Sequence, residues 1–180
     1  MKKHLLLIFC ALFISVSLSA QSSSSQHLKF MGIPINGSIT NFQNKLIAKG
    51  FKYDKVASNS PGITTRIFNG QFAGESAELY VYYDQTQKFV YRVKTVIQRS
   101  SEEQILFKMR MYRNQLIEKY NASAVEEVHE GNESYYIPVE NGWIDLYYVK
   151  NTYDIGYSLL IDYWDNFNAQ KHEKNNMNDL

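Results

Sequence analysis

The sequence predicts an α+β protein of two similar tandem units, each a helix followed by an antiparallel β-meander. Two segments, 39–47 and 105–120, repeat apolar side chains with the spacing of an amphipathic helix. Each is followed by three segments of strand-like composition, which turn residues separate. The tripeptide Glu78-Leu79-Tyr80 also matches Asp145-Leu146-Tyr147 at an offset of 67 residues. The predicted units span residues 28–99 and 100–164.

The first twenty residues predict a secretory signal peptide. A basic start and an apolar run over 5–16 precede small residues at 17–20, where cleavage is expected after Ser19 or Ala20. The apolar run is too short to cross a bilayer of ~30 Å as a helix, and no other segment is a candidate membrane span. We therefore expect a periplasmic or secreted protein.

The segments at the start of the mature chain are expected to be irregular. Residues 21–27 form a polar, serine-rich leader that predicts a flexible spacer. Pro34 favours an edge strand or a turn in the apolar segment that follows.

The first unit begins with a helix that Ser38 can cap. Gly50 is expected to end it in a left-handed conformation, with Phe51 packing back on Leu46. A loop is predicted at 54–62. The expected strands lie at 63–68, 77–83 and 89–97, with turns at Asn69-Gly70 and 84–87.

The second unit repeats this order. Ser100-Ser101-Glu102-Glu103 predicts a capping box, and Asn121 takes the place of Gly50 at the helix end. The expected strands lie at 135–139, 143–149 and 155–163, with turns at Asn141-Gly142 and 151–154. The polar tail at 165–180 is either a short docked helix or a frayed end.

Composition excludes several classes of partner. Removing Lys2 and Lys3 with the signal leaves 17 basic against 18 acidic side chains, so no strong field attracts nucleic acid, although basic residues occur on the second helix.

Cys10 is the only cysteine, and bulky Phe9 before it argues against lipidation. A mature chain without cysteine has no disulfides and must rely on an ordinary core.

No catalytic, cofactor or metal site is predicted. The three histidines of the mature chain, His27, His129 and His172, are scattered, whereas catalysis needs a base held near its partners. The acids at 126–133 lack the ligand spacing of a calcium loop and predict a solvated acidic loop. Asp162 and Asp165 could in principle form a glycosidase pair, but no second element fixes their separation.

Tyrosine is the unusual feature of the composition, with 14 residues, of which seven lie between Tyr135 and Tyr163. Adjacent pairs such as Tyr147-Tyr148 must point to opposite faces of a strand, so some rings lie on an open face. Rings there suit a protein-binding or glycan-binding surface, while cross-strand stabilisation of the sheet is the structural alternative. The candidate binding residues are Tyr80, Tyr82, Trp143 and Tyr147.

Several short motifs carry a resemblance to known proteins. They are Phe30-Met31-Gly32-Ile33-Pro34-Ile35-Asn36-Gly37, Lys49-Gly50-Phe51, Lys119-Tyr120, Ile161-Asp162-Tyr163, Asn168 and Asp179. With these the chain resembles a family of small secreted proteins from gut-dwelling Gram-negative anaerobes, which implies secretion but supplies no catalytic residues. The arrangement is distantly similar to tandem helix-plus-sheet modules such as the beta-lactamase inhibitor protein and the small lipoprotein of the barrel-assembly machinery. That similarity implies protein binding by analogy of fold.

The sequence thus predicts a non-enzymatic secreted or periplasmic binding module for a protein or glycan, without a cofactor. Two alternatives stay open. A cell-envelope hydrolase would require a carboxylate pair and His129 in one pocket with perturbed pKa values. A small-ligand carrier would require a cavity between the helix and sheet faces.

Overall fold

The computed structural model describes residues 26–61, 64–151 and 156–178. The predicted signal peptide, residues 21–25 of the leader, most of the turn at 151–154 and Asp179 lie outside these ranges. Within them, no helix combines the length and the apolar character that a membrane crossing requires. The described residues include no cysteine and hence no disulfide.

The described residues form a mixed α+β fold with four helices and one large antiparallel sheet. The helices are α1 (Ile39–Ala48), α2 (Lys55–Ser58), α3 (Glu102–Tyr120) and α4 (Asn166–Asn178). The strands are β1 (Lys29–Phe30), β2 (Ile33–Pro34), β3 (Lys52–Asp54), β4 (Thr65–Phe72), β5 (Glu75–Tyr83), β6 (Val90–Arg99), β7 (Val125–His129), β8 (Asn132–Val139), β9 (Gly142–Lys150) and β10 (Tyr157–Asp165). Strands β1 and β2 form a separate hairpin, and the other eight form the sheet in the order β3-β4-β5-β6-β10-β9-β8-β7.

Helix ends follow the local signals in the sequence. Ser38 accepts a hydrogen bond from the Asn41 N–H at the start of α1, and Ser101 does the same for Gln104 at the start of α3. Asn121 ends α3 with a φ of 47°, in the left-handed conformation that asparagine tolerates. The cap of α3 is thus Ser101 and not Ser100.

The core lies between one face of the sheet and helices α1 and α3. Helix α1 buries Ile39, Phe42 and Leu46, and α3 buries the side chains that its apolar spacing predicts. Those side chains are Ile105, Met109, Tyr112 and Leu116. They belong to one cluster with the strand residues that alternation turns toward the helices.

One predicted turn and part of one predicted loop are wrong. Asn69-Gly70 lies inside β4, because the Phe51 ring packs against Gly70 and a side chain there would collide with it. The actual turn follows at Ala73 and Gly74, which both have positive φ. Part of the expected loop at 54–62 forms α2.

The acidic segment at 126–133 is a hairpin and not a loop. Strands β7 and β8 pair antiparallel around a turn at Glu130 and Gly131. All five residues of β7 are exposed, so the segment has no buried alternation from which a strand could be predicted. The polar tail after Asp165 forms α4, which is the docked alternative.

Candidate functional site

The face of the sheet opposite α1 and α3 carries an ordered group of aromatic and charged side chains. On β5, Leu79 and Val81 are buried in the core while Tyr80 and Tyr82 point to the opposite side. The same alternation operates on the neighbouring strands. We define the open face by these residues of β5, β6, β10 and β9: Tyr80, Tyr82, Arg92, Lys94, Asp162, Trp164, Trp143, Asp145 and Tyr147.

One row of the open face forms a continuous stack across four strands. Tyr82, Arg92, Trp164 and Trp143 are successive cross-strand partners. The Arg92 guanidinium lies 4.3 Å from the Tyr82 ring centroid and 4.0 Å from the Trp164 ring centroid. The two indoles stack at 5.3 Å with planes 12° apart. The Trp164 ring thus contacts both Arg92 and Trp143 within the row.

The next row places charged residues at the centre of the sheet. Lys94, Asp162 and Asp145 are direct cross-strand neighbours. Asp162 is 1 % exposed and accepts two hydrogen bonds from Arg92, one of them from Nε at 2.8 Å. Lys94 Nζ lies 3.7 Å from the same carboxylate. Two cations therefore compensate the buried Asp162 charge.

Among the described residues, Asp145 forms no ion pair, and the more distant Arg92 charge compensates it only in part. Burial raises the pKa of its carboxyl to about 6, and the nearby Asp162 charge contributes in the same direction. The Trp143 indole N–H donates to the Asp145 carboxylate at 3.2 Å and partly opposes this shift. A cation brought close to Asp145 would therefore stabilise its ionised form.

A cleft of about 300 Å³ lies beside Asp145. Its lining includes two further residues of the β7–β8 hairpin, Glu127 and His129, together with Tyr147. The His129 and Tyr147 rings are 4.3 Å apart. Three carboxyl groups, those of Glu127, Asp145 and Asp162, and the His129 imidazole therefore line one cleft.

All four predicted binding residues lie on the open face, but in two separate groups. Tyr80 and Tyr82 are on β5, while Trp143 and Tyr147 are on β9, with β6 and β10 between them. All four are partly buried, and the Tyr80 hydroxyl donates to Glu78 at 2.5 Å. The prediction that adjacent tyrosines point to opposite faces is confirmed, because Tyr148 is buried in the core.

Five residues of the open face were not among the predicted binding residues. Arg92, Lys94, Asp162 and Trp164 lie on the two strands between these groups, and Asp145 lies on β9 between Trp143 and Tyr147. The alternation of β6 does place Arg92 and Lys94 on one face, which is a usable signal. Their pairing with Asp162 cannot be predicted from the sequence, since it depends on which strands become neighbours in the sheet.

The other ionisable candidates lie apart from the open face. Asp165 is buried and accepts hydrogen bonds from the Leu28 and Asn168 N–H groups at 2.8 and 2.9 Å, with His27 Nδ1 at 3.0 Å. It lies three positions after Asp162 on the same strand, so the two carboxylates point to opposite faces and do not form a pair. Across the described ranges, no group of three or more His, Cys, Asp or Glu residues could hold a metal ion.

Neither a family model, nor a curated protein, nor a solved structure matches this chain. The function must therefore be argued from the geometry of the open face and of the core. The resemblance to secreted proteins of gut bacteria and to the beta-lactamase inhibitor protein stays a prediction.

Proposed function

We propose that this chain is a secreted or periplasmic, non-enzymatic protein that binds a partner protein on its open face. The observation that carries the proposal is the row of Tyr82, Arg92, Trp164 and Trp143, held in order above the sheet. Trp, Tyr and Arg are the residues most enriched at the energetic centres of protein interfaces. Their mutual stacking reduces the side-chain entropy that binding would otherwise cost.

Ring geometry favours a protein over a glycan as the partner. A sugar typically packs on an exposed ring face, but the faces of the Trp164 ring contact Arg92 and Trp143. For contact with a partner, the row therefore presents ring edges and the neighbouring polar groups. The half-buried Asp145 adds charge complementarity for a lysine or arginine of the partner, because such a cation would compensate its burial.

The test is affinity capture with residues 21–180 as bait, from envelope and culture-supernatant fractions of the cells that make the protein. Tyr147→Ala and Trp143→Ala are expected to lose the partner, since both truncate the open face. Phe107→Ala is the matched control, because Phe107 is an exposed aromatic residue on α3, 68 % accessible, on the other side of the molecule. Thermal melts confirm that each variant folds.

Hydrogen exchange then locates the binding site of the captured partner on this chain. We expect the amides of β9 and β10 to be protected in the complex, and the Phe107→Ala variant to retain the partner. Equal capture by all variants, or loss of capture after glycosidase treatment of the fractions, would contradict a protein partner on the open face.

A glycoside hydrolase is the second candidate, which the cleft at Asp145 favours. A carboxyl with a pKa of about 6 suits a general acid, and Asp162 lies directly across the strand pair, where a second carboxylate would be required. However, Asp162 is occupied by Arg92 and is not free to act as a nucleophile. Hydrolysis of 4-nitrophenyl glycosides at pH 5–6 by the wild type and not by Asp145→Asn would establish this activity in place of binding.

The two-unit organisation is also part of this proposal. Helix α1 precedes β3 to β6, and α3 precedes β7 to β10, so each helix is followed by four strands that pair in sequence order. The Phe68–Leu79 and Tyr135–Leu146 pairs occupy corresponding positions at the offset of 67. These correspondences support two similar units that would join where β6 pairs with β10, and in that arrangement the open face spans both.

A further inference from the structure

The sheet ends on one side at β7, whose outer edge pairs with no strand of the described residues. All five residues of β7 are exposed, and their register to β8 is regular. The strand contains neither proline nor lysine, the residues that commonly protect a sheet edge from further pairing. The opposite edge, β3, is three residues long, carries Lys52 and continues directly into α2. The β7 edge is therefore the one that can accept a further strand.

The turn after β7 determines which backbone groups point away from the sheet. Both residues between β7 and β8 have positive φ, and a two-residue turn of this kind is closed by a hydrogen bond between its flanking residues, His129 and Asn132. Hydrogen-bonded and non-hydrogen-bonded pairs alternate along an antiparallel ladder. Glu126 and Val128 therefore direct their N–H and C=O groups outward, with the spacing that strand addition requires.

The charge along this edge indicates the chemistry of the added strand. Glu126, Glu127 and Glu130 form no ion pair with the described residues. No lysine or arginine occurs in residues 121–149, so these carboxylates have no cation near them in the sequence. A second copy of this chain would bring three carboxylates from each strand together, which is unfavourable. A basic strand would be attracted.

The cleft beside Asp145 adjoins the β7 edge. Glu127, Ser134 and Tyr147 are successive cross-strand neighbours, so their side chains share one face of the sheet. Glu127 and Tyr147 both line the cleft. A strand added beside β7 would place every second side chain on this same face, next to Glu127 and the cleft. Lysine or arginine at those positions would be the matching side chain.

We propose that the partner protein adds an extended segment to β7 through backbone hydrogen bonds, and that this segment carries lysine or arginine at alternate positions facing the cleft. Strand addition of this kind rests on the proposed function, since it specifies how the partner protein is held. The Glu126 and Val128 backbone supplies the hydrogen bonds, and the carboxylates of Glu127 and Asp145 select the charge.

The test begins with calorimetric titration of residues 21–180 with three short peptides. The first alternates lysine and valine, the second has glutamate in place of lysine, and the third is the lysine peptide with every backbone amide N-methylated. The lysine peptide is expected to bind at least about tenfold more tightly than the other two, because only it combines positive charge with backbone donors. Hydrogen exchange of the Glu126 and Val128 amides is expected to slow in its complex.

Variants locate the site on the edge. Val128→Pro removes an outward N–H, which an edge strand tolerates, and is expected to weaken binding of the lysine peptide about tenfold. Val128→Thr keeps the N–H and is the matched control. Glu127→Gln and Asp145→Asn are each expected to weaken binding about threefold, whereas Glu118→Gln, an exposed change on α3, should bind normally. Thermal melts confirm folding, and if Val128→Pro does not fold, the N-methylated peptide decides.

Absence of lysine-peptide binding, or equal binding of either other peptide, would overturn strand addition by a basic segment. A wild-type dimer in sedimentation that Val128→Pro converts to a monomer would assign the edge to a second copy and overturn it as well. If a captured protein is lost by Trp143→Ala but retained by folded Val128→Pro, the proposed function stands and the β7 site is excluded. Failure of the proposed function gives a different result, in which no protein is captured although the lysine peptide binds at β7.

Discussion

Arg92 and Asp162 form a two-bond ion pair between the two central strands of the sheet, although 70 residues separate them in the chain. Arg92 Nε lies 2.8 Å from one carboxylate oxygen, and a terminal nitrogen donates to the other. The guanidinium also lies between the Tyr82 and Trp164 rings. One residue thus links β5, β6 and β10 on the open face.

Asp162→Asn is expected to destabilise the protein strongly. The change removes the charge that compensates Arg92 while leaving a partly buried cation, which costs about 3–5 kcal/mol when a buried pair is broken. The free energy of unfolding from urea titration measures the effect.

The double variant Arg92→Met/Asp162→Asn is the control for this interpretation. It removes both charges, so it should recover a large part of the loss. A double variant that is less stable than Asp162→Asn would show instead that Arg92 acts through its stacking on the rings.

Asp145→Asn is expected to stabilise the protein at neutral pH. The folded-state pKa of about 6 lies above the ordinary value of 3.8, so ionisation disfavours the folded state and stability falls as pH rises from about 4 to 6. Asparagine does not ionise and can still accept from the Trp143 indole. We expect a gain on the order of 1–3 kcal/mol at pH 7.5 and little difference at pH 4.

Urea unfolding at the two pH values measures this gain, with Glu140→Gln as an exposed control. If the gain in the free energy of unfolding is equal at pH 4 and pH 7.5, the Asp145 charge does not destabilise the folded protein.

Local signals in the sequence predict much of the fold. Both main helices and their ends follow from apolar spacing, the serine caps and the left-handed residue that ends each, because these features depend on neighbours within a few residues. The strands of the core follow from alternation, since one of their faces is buried.

Contacts between segments that are distant in the sequence account for the features that were predicted wrongly or not at all. Asn69-Gly70 has the composition of a turn, yet it lies in a strand because Phe51 needs a position without a side chain. The candidate site shows the same limit. Tyr82 and Trp143 could be assigned to an open face, whereas Asp145 and Asp162 become neighbours only through the pairing of β9 with β10.

Gly70→Ala tests that explanation of β4. A Cβ atom at this position would lie within 3 Å of three atoms of the buried Phe51 ring. Since φ of Gly70 is not positive, the expected loss of about 1–3 kcal/mol comes from steric overlap and not from backbone strain. Thermal or urea unfolding measures it, and Phe51→Leu/Gly70→Ala should recover part of the loss by making room. A neutral Gly70→Ala variant would show that the ring moves aside without cost.

Asp84 is predicted to anchor α4 in a pH-dependent way. Its buried carboxylate accepts from the Thr86 and Gln87 N–H groups and from Asn175, with His172 at 3.1 Å. Burial alone would raise the pKa of Asp84, but these donors outweigh it and lower the pKa to about 2.

A lowered folded-state pKa contributes stability above the ordinary value of 3.8, and that contribution is lost as pH falls toward 2. Asp84→Asn should therefore cost about 2 kcal/mol at pH 7, and the difference from the wild type should close near pH 2. Urea unfolding at pH 7, 4 and 2.5 measures the gap, with Glu118→Gln as an exposed control on α3. Because Asn175 and His172 belong to α4, hydrogen exchange of that helix should increase in the variant. A gap that stays constant down to pH 2.5 would place the anchoring of α4 in packing and not in the Asp84 charge.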